Sequence, residues 1–80
     1  MDKCELFDRI REIIADSTGI SKEEITKEAN LQSDLGLSSL QIFLILASVE
    51  EEFDILIDAV DLTAVVDMKD FIDLIALYVR

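Results

Sequence analysis

Histidine, proline and tryptophan are absent from this chain, glycine occurs twice and cysteine once. Each gap excludes something. Without histidine there is no ordinary base to take a serine's proton, so a Ser-His-Asp hydrolase cannot be built. One thiol with no histidine gives no zinc ligand set, and Cys4 alone cannot close an intramolecular disulfide, which fits a reducing compartment. Basic residues are also scarce, 7 against 18 acidic ones, for a formal charge of −11. That balance repels a nucleic-acid backbone and anionic lipid headgroups, and it attracts basic protein surfaces. No nucleic-acid partner is expected. The opening MDKCELFDRI contains no signal-type apolar segment, and the longest apolar-rich stretch, IFLILASV at 42–49, is too short to span a bilayer. The expectation is a cytosolic monomer.

With 51% hydrophobic residues in 80 positions, the sequence reads as a single small domain over residues 1–80. Asp2 and Glu5 form a capping-box-like start. Leu6, Phe7, Ile10, Ile13 and Ile14 come next on one helical face, and Gly19 is placed to end the helix in a left-handed conformation. Ser21 and Glu24 form a second box that opens only a short turn, because TKEANLQSDLG is polar and lacks periodicity. Leu31 and Leu35 are the expected pegs of that long connection. A helix should run from Ser38 to about Phe53, with Ser38 and Gln41 as its capping box and Ser39 as its first helical residue. One short helix is expected within DILIDAVDLTAVVD. The last begins at Asp67, with Asp70 three residues on and Phe71, Leu74, Ile75 and Tyr78 as its apolar stripe. The fold class is therefore all-α, a small four-helix bundle with a long loop between the first two main helices.

The central helix carries two apolar stripes. Ile42, Ile45, Leu46, Val49 and Phe53 make the expected core face, while Leu40, Phe43, Leu44 and Ala47 lie largely on the opposite side, close to Ser39. Either a neighbouring element covers this second stripe, or it is a docking surface beside a functional serine. Ser39 itself has three readings: a simple helix-start residue, a nucleophile, or a point of attachment. The nearest basic residue in sequence, Lys27, sits in the polar connection and supports no Ser-Lys arrangement. A helix start does favour a bound or attached phosphate, through its free N–H groups and dipole. The acidic residues do not spell an EF-hand: counting from Asp16, Ile20 stands at a ligand position and Ser21 where glycine is needed. Cys4 reads as a small packing residue or an exposed bystander, and Tyr78 and the phenylalanines read most simply as core residues.

The string DLGLSSLQIFLILASVEEEFDI resembles the attachment segment of the acyl carrier proteins, in which Asp-Leu-Gly, two further residues, Ser and Leu open a helix that runs into Glu-Glu-Phe-Asp. Here these are Asp34, Leu35, Gly36, Ser39 and Leu40, then Glu51, Glu52, Phe53 and Asp54. The order of helices and loop extends the likeness over nearly the whole chain. This resemblance implies a carrier without catalysis of its own. Ser39 would hold 4′-phosphopantetheine, transferred from coenzyme A by a phosphopantetheinyl transferase, and the arm's thiol would hold acyl groups as thioesters. The implied partners are acyl-transferring or condensing enzymes with basic or apolar docking patches, met by Leu40, Phe43, Leu44, Ala47, Glu50 and Glu51; no metal site is implied. Three positions depart from the family's common pattern: Ser38 replaces an aspartate, and Gln41 and Leu44 stand where acidic residues are frequent. A peptidyl carrier fits less well, since Leu37-Ser38 replaces its usual second glycine and histidine. A D-alanyl carrier has a compatible fold and charge, and an acidic helical interaction module without a prosthetic group is the alternative outside the carrier class.

Overall fold

The computed structural model describes residues 2–79. Three α-helices, α1 (Lys3–Thr18), α2 (Ser39–Phe53) and α3 (Met68–Tyr78), are joined by segments carrying two short 3-10 helices, η1 (Lys22–Glu24) and η2 (Ala59–Ala64). α1 is the common partner, packing against both α2 and α3.

Local chemistry sets the helix ends. Asp2 accepts from the Glu5 N–H at 2.8 Å, satisfying one of the orphan donors of the first turn. At the other end Gly19 adopts φ 79° and returns its N–H to the Ala15 carbonyl, as its place in the sequence implies. α2 ends differently. Its cap is Asp54 at φ 54°, an uncommon left-handed conformation for a residue with a side chain. Around η1 the expected capping box does not form: the Ser21 hydroxyl donates to the Glu23 carboxylate at 2.7 Å and makes no bond to the backbone of Glu24. Ser21 thus ties up an exposed carboxylate side chain instead of starting a longer helix.

The core joins Leu6, Ile10 and Ile14 of α1 to Ile45, Leu46 and Val49 of α2 and to Met68, Phe71, Ile72 and Ile75 of α3, with Ile25, Ala29, Leu31, Leu37 and Ile57 closing it from the connections. It is wholly apolar, and no polar side chain is buried among the described residues. The expected core faces hold at their centres and thin at their margins. Phe7, Ile13, Ile42, Phe53, Leu74 and Tyr78 are only partly buried, because a bundle this small has no second layer to cover the flanks. Phe7 lies beneath cations, 5.1 Å from the Arg11 guanidinium carbon and 5.8 Å from Lys27 Nζ. Tyr78 places its ring against the core and its hydroxyl on Asp61, to which it donates at 2.9 Å. Cys4 is exposed on the first turn of α1.

The long connection is ordered by its own polar groups. Asn30 Oδ1 accepts from the N–H groups of Gln32 and Ser33 at 3.0 and 2.9 Å, and Asp34 Oδ2 accepts from the Asn30 N–H at 2.8 Å. This side-chain mimicry of a turn gives the backbone partners that a strand or helix would otherwise supply. The pegs are Leu31 and Leu37, both buried. Leu35, expected to serve as a peg beside Leu31, is only half-buried, because the turn at Gly36, with φ 68°, carries the inward direction on to Leu37.

Candidate functional site

The loop and α3 are stitched together by backbone hydrogen bonds: Leu31 N–H to the Val66 carbonyl at 3.0 Å, Met68 N–H to Ala29 at 3.0 Å, and Lys69 N–H to Lys27 at 2.9 Å. This seam holds residues 30–37 against the start of α3. The Leu37 N–H then donates to the Leu31 carbonyl at 3.0 Å, fixing the path by which the chain enters α2.

Ser38 caps that helix. Its hydroxyl accepts from the Gln41 N–H at 3.2 Å, and Gln41 Oε1 accepts from the Ser38 N–H at 2.9 Å, so both halves of the box are present. Gln41 is therefore a structural partner of the cap. Because Ser38 takes the capping role, Ser39 is released from it: the side chain is exposed and, among the described residues, its hydroxyl is held by no hydrogen bond. The N–H groups of Ser39 and Leu40 belong to the first turn, which precedes the intrahelical ladder. They and the positive end of the helix favour a phosphate carried on the adjacent oxygen.

Ser39 stands at the rim of a half-open cleft of about 340 Å³ between α2 and η2. Leu31, Ile42, Phe43, Leu62, Val65 and Val66 give it an apolar wall, and Asn30, Gln32 and Thr63 add polar groups. An exposed hydroxyl, free N–H groups and an adjoining apolar cleft fit a phosphodiester-linked arm with an apolar load. Among the described residues, no basic side chain lines this cleft. Lys27 lies elsewhere, against Phe7, and is not placed to activate Ser39.

The second stripe of α2 is uncovered: Leu40, Phe43 and Leu44 are 68%, 49% and 58% exposed. Ala47 is exposed beside them, and the first turn of α2 holds no acidic residue. The three glutamates at the end of the helix are not equivalent. Glu50 accepts from the Ile57 N–H at 2.8 Å, and Glu52 pairs with Arg9 of α1 at 2.8 Å, so each has an internal task. Glu51 is exposed and, among the described residues, forms no ion pair. Sequence reasoning sees a run of three acids and cannot divide it, because the division depends on what each side chain meets across the fold. It also misses Asn30 and Leu37 as the residues that aim the start of α2; Asn-x-x-x-Asp ahead of the glycine is the available signal for the turn.

The architecture and the site together define a small helical post bearing one free serine at a helix start. The family model described as "Phosphopantetheine attachment site" matches residues 8–75. Among similar proteins, an acyl carrier protein of Syntrophobacter fumaroxidans is 38% identical over 95% of this chain and 94% of its own length. One from Nitratidesulfovibrio vulgaris is 36% identical over 86% and 91%. One from Saccharopolyspora erythraea is 42% identical over 65% of this chain and 55% of its own length, so the chain spans about half of that relative. The chain belongs to the phosphopantetheine attachment family. Acyl carrier proteins are carriers and not catalysts, their cofactor is covalently attached 4′-phosphopantetheine, and they are modified by a phosphopantetheinyl transferase and interact with biosynthetic enzymes. No helix among the described residues is long and apolar enough to cross a membrane.

Proposed function

We propose that Ser39 carries the 4′-phosphopantetheine arm and that the protein presents acyl groups, held as thioesters on the arm's thiol, to the enzymes of a fatty-acid, polyketide or related biosynthetic route. The observation that carries this reading is the division of labour between adjacent serines. Ser38 satisfies the helix cap, which leaves Ser39 exposed, unbonded and at the rim of an apolar cleft. Within the reading, the N–H groups of the first turn of α2 steady the phosphodiester. The cleft wall of Ile42, Leu62 and Val65 takes up apolar cargo. Mass spectrometry of the intact protein, incubated with coenzyme A, magnesium and a broad-specificity phosphopantetheinyl transferase, tests the assignment. Wild type should gain one phosphopantetheine and Ser39→Ala none; a gain that persists in Ser39→Ala would refute it.

Docking falls to the exposed stripe Leu40, Phe43, Leu44 and Ala47, with Glu51 as the outward acid at its far end. Glu50 contributes by holding the loop after α2 in place as well as by its charge. With no acid in the first turn of α2, attraction at this end comes from apolar burial, which salt does not screen. Affinity for a partner enzyme should accordingly depend weakly on ionic strength and fall several-fold in Phe43→Ser. A steep loss of affinity with salt would show that charge, and not the apolar stripe, drives docking.

A further inference from the structure

Net charge hides a local inversion. Lys3 and Phe7 of α1, Lys27 of the long connection, and Lys69, Ile72 and Asp73 of α3 enclose a pocket of about 330 Å³. It shares no residue with the cleft beside Ser39 or with the exposed stripe of α2. Phe7 and Ile72 form an apolar floor and the lysines a cationic rim. Three of the chain's seven basic residues therefore meet at one concavity.

The state of those lysines distinguishes the pocket from a solvated surface. Among the described residues Lys3, Arg9, Arg11 and Lys22 each pair with a carboxylate. Lys27 and Lys69 do not, although acidic residues outnumber basic ones by 18 to 7. The fold also brings these two together, because the Lys69 N–H donates to the Lys27 carbonyl at 2.9 Å. Both residues also line the pocket, so an anion seated there would be drawn by both positive charges, and Lys27 is already placed over the Phe7 ring at 5.8 Å. The remaining lysine of the rim, Lys3, is partly neutralised by Asp73 at 2.9 Å. The resulting demand is for about one negative charge next to one apolar group. The cationic groups are exposed and the floor is small, so a side chain reaching in from another surface fits better than an enclosed small molecule, which a pocket normally buries by about 70–90%.

We propose that this pocket is a second binding site, which takes an acidic side chain of a partner protein together with the apolar residue beside it. A partner held there leaves Ser39, its cleft and the α2 stripe free. The site thus keeps the carrier near an acidic protein while the arm works elsewhere. At about 0.15 M salt the Debye length of about 8 Å screens the distant glutamates of this chain but leaves contact-range attraction at Lys27 and Lys69.

The test is an amide chemical-shift titration of the full-length, phosphopantetheine-loaded protein at that ionic strength. The probe is a short capped peptide of glutamates flanking one leucine. Its lysine-for-glutamate counterpart and inorganic phosphate serve as controls. Saturable shifts at Phe7, Lys27, Lys69 and Ile72 are expected with the glutamate peptide alone. The double variant Lys27→Glu/Lys69→Glu should weaken them about tenfold, a change of about 1.4 kcal/mol. Both side chains are exposed, so the variant should keep its fold and its capacity to be loaded, which mass spectrometry and thermal unfolding verify. Three results would overturn the proposal: no saturable shift, shifts unchanged in the double variant, or equal shifts with phosphate, which would mark a site for small anions.

Discussion

α2 and α3 begin with the same device and put it to opposite uses. Ser38 with Gln41, and Asp67 with Asp70, each make a reciprocal capping box. Beyond the cap the two helices diverge. At α3 the first helical residue, Met68, is 0% exposed, and the N–H groups of Met68 and Lys69 are consumed by the carbonyls of Ala29 and Lys27. At α2 the first helical residue is exposed Ser39, which lines the cleft. A helix start is thus either a joint or a site, depending on whether the protein supplies the groups that fill it. In this chain the long connection fills the start of α3, and in doing so holds the start of α2 open.

That contrast can be broken at graded cost. The first residue of α3 is a core residue, so Met68→Ala should destabilise the protein by about 2–5 kcal/mol in chemical denaturation. The equivalent change at α2, Ser39→Ala, should stay within about 0.5 kcal/mol, even though under the proposed assignment it should abolish loading. Comparable losses at the two positions would mean that Ser39 is a packing residue after all. The caps come next: Asp67→Ala should cost about 1–2 kcal/mol and Ser38→Ala about 0.5–1 kcal/mol. This order arises because Asp67 begins a helix whose first turn is sewn into the core, and a larger loss at Ser38 would reverse this ranking of the two starts.

The smallest effect concerns the wall of the cleft. Tyr78, at the far end of α3, donates to Asp61 of η2, and this hydrogen bond holds the hydroxyl above the usual tyrosine range, with desolvation adding to the shift. A raised folded value means that the bond's contribution is complete below the titration of the unfolded tyrosine, near pH 10, and is lost as pH rises through the higher folded value. Thermal midpoints of wild type and Tyr78→Phe should differ slightly at neutral pH and converge above about pH 10. A gap that stays constant across that range would show that Tyr78 acts through its ring alone.

Much of this is legible in the residues. Capping chemistry at Asp2, Ser38 and Asp67, the left-handed stop at Gly19 and the apolar periodicities are local, so each can be read within a few positions of sequence. The segment that resembles an attachment site is legible for the same reason, since Asp34, Gly36, Ser39 and Leu40 belong to one loop and one helix start. Less is legible where a side chain's role depends on a distant partner. Glu50, Glu51 and Glu52 are chemically identical in sequence, yet one holds the Ile57 amide, one is exposed and pairs with none of the described residues, and one binds Arg9. Lys27 and Lys69 are 42 positions apart in the numbering and read as isolated solvated charges, while the seam between the loop and α3 makes them neighbours.

By itself, then, the sequence determined the helices, the caps, the place of Ser39 at a helix start and the overall negative charge, because propensity, periodicity and capping act over a few residues. Tertiary structure alone decided which helix start stays open, which glutamate faces outward and where the scarce cations gather. Those outcomes depend on which backbone and side-chain groups are brought within hydrogen-bonding and Coulombic reach, and only the closing of the bundle sets those distances.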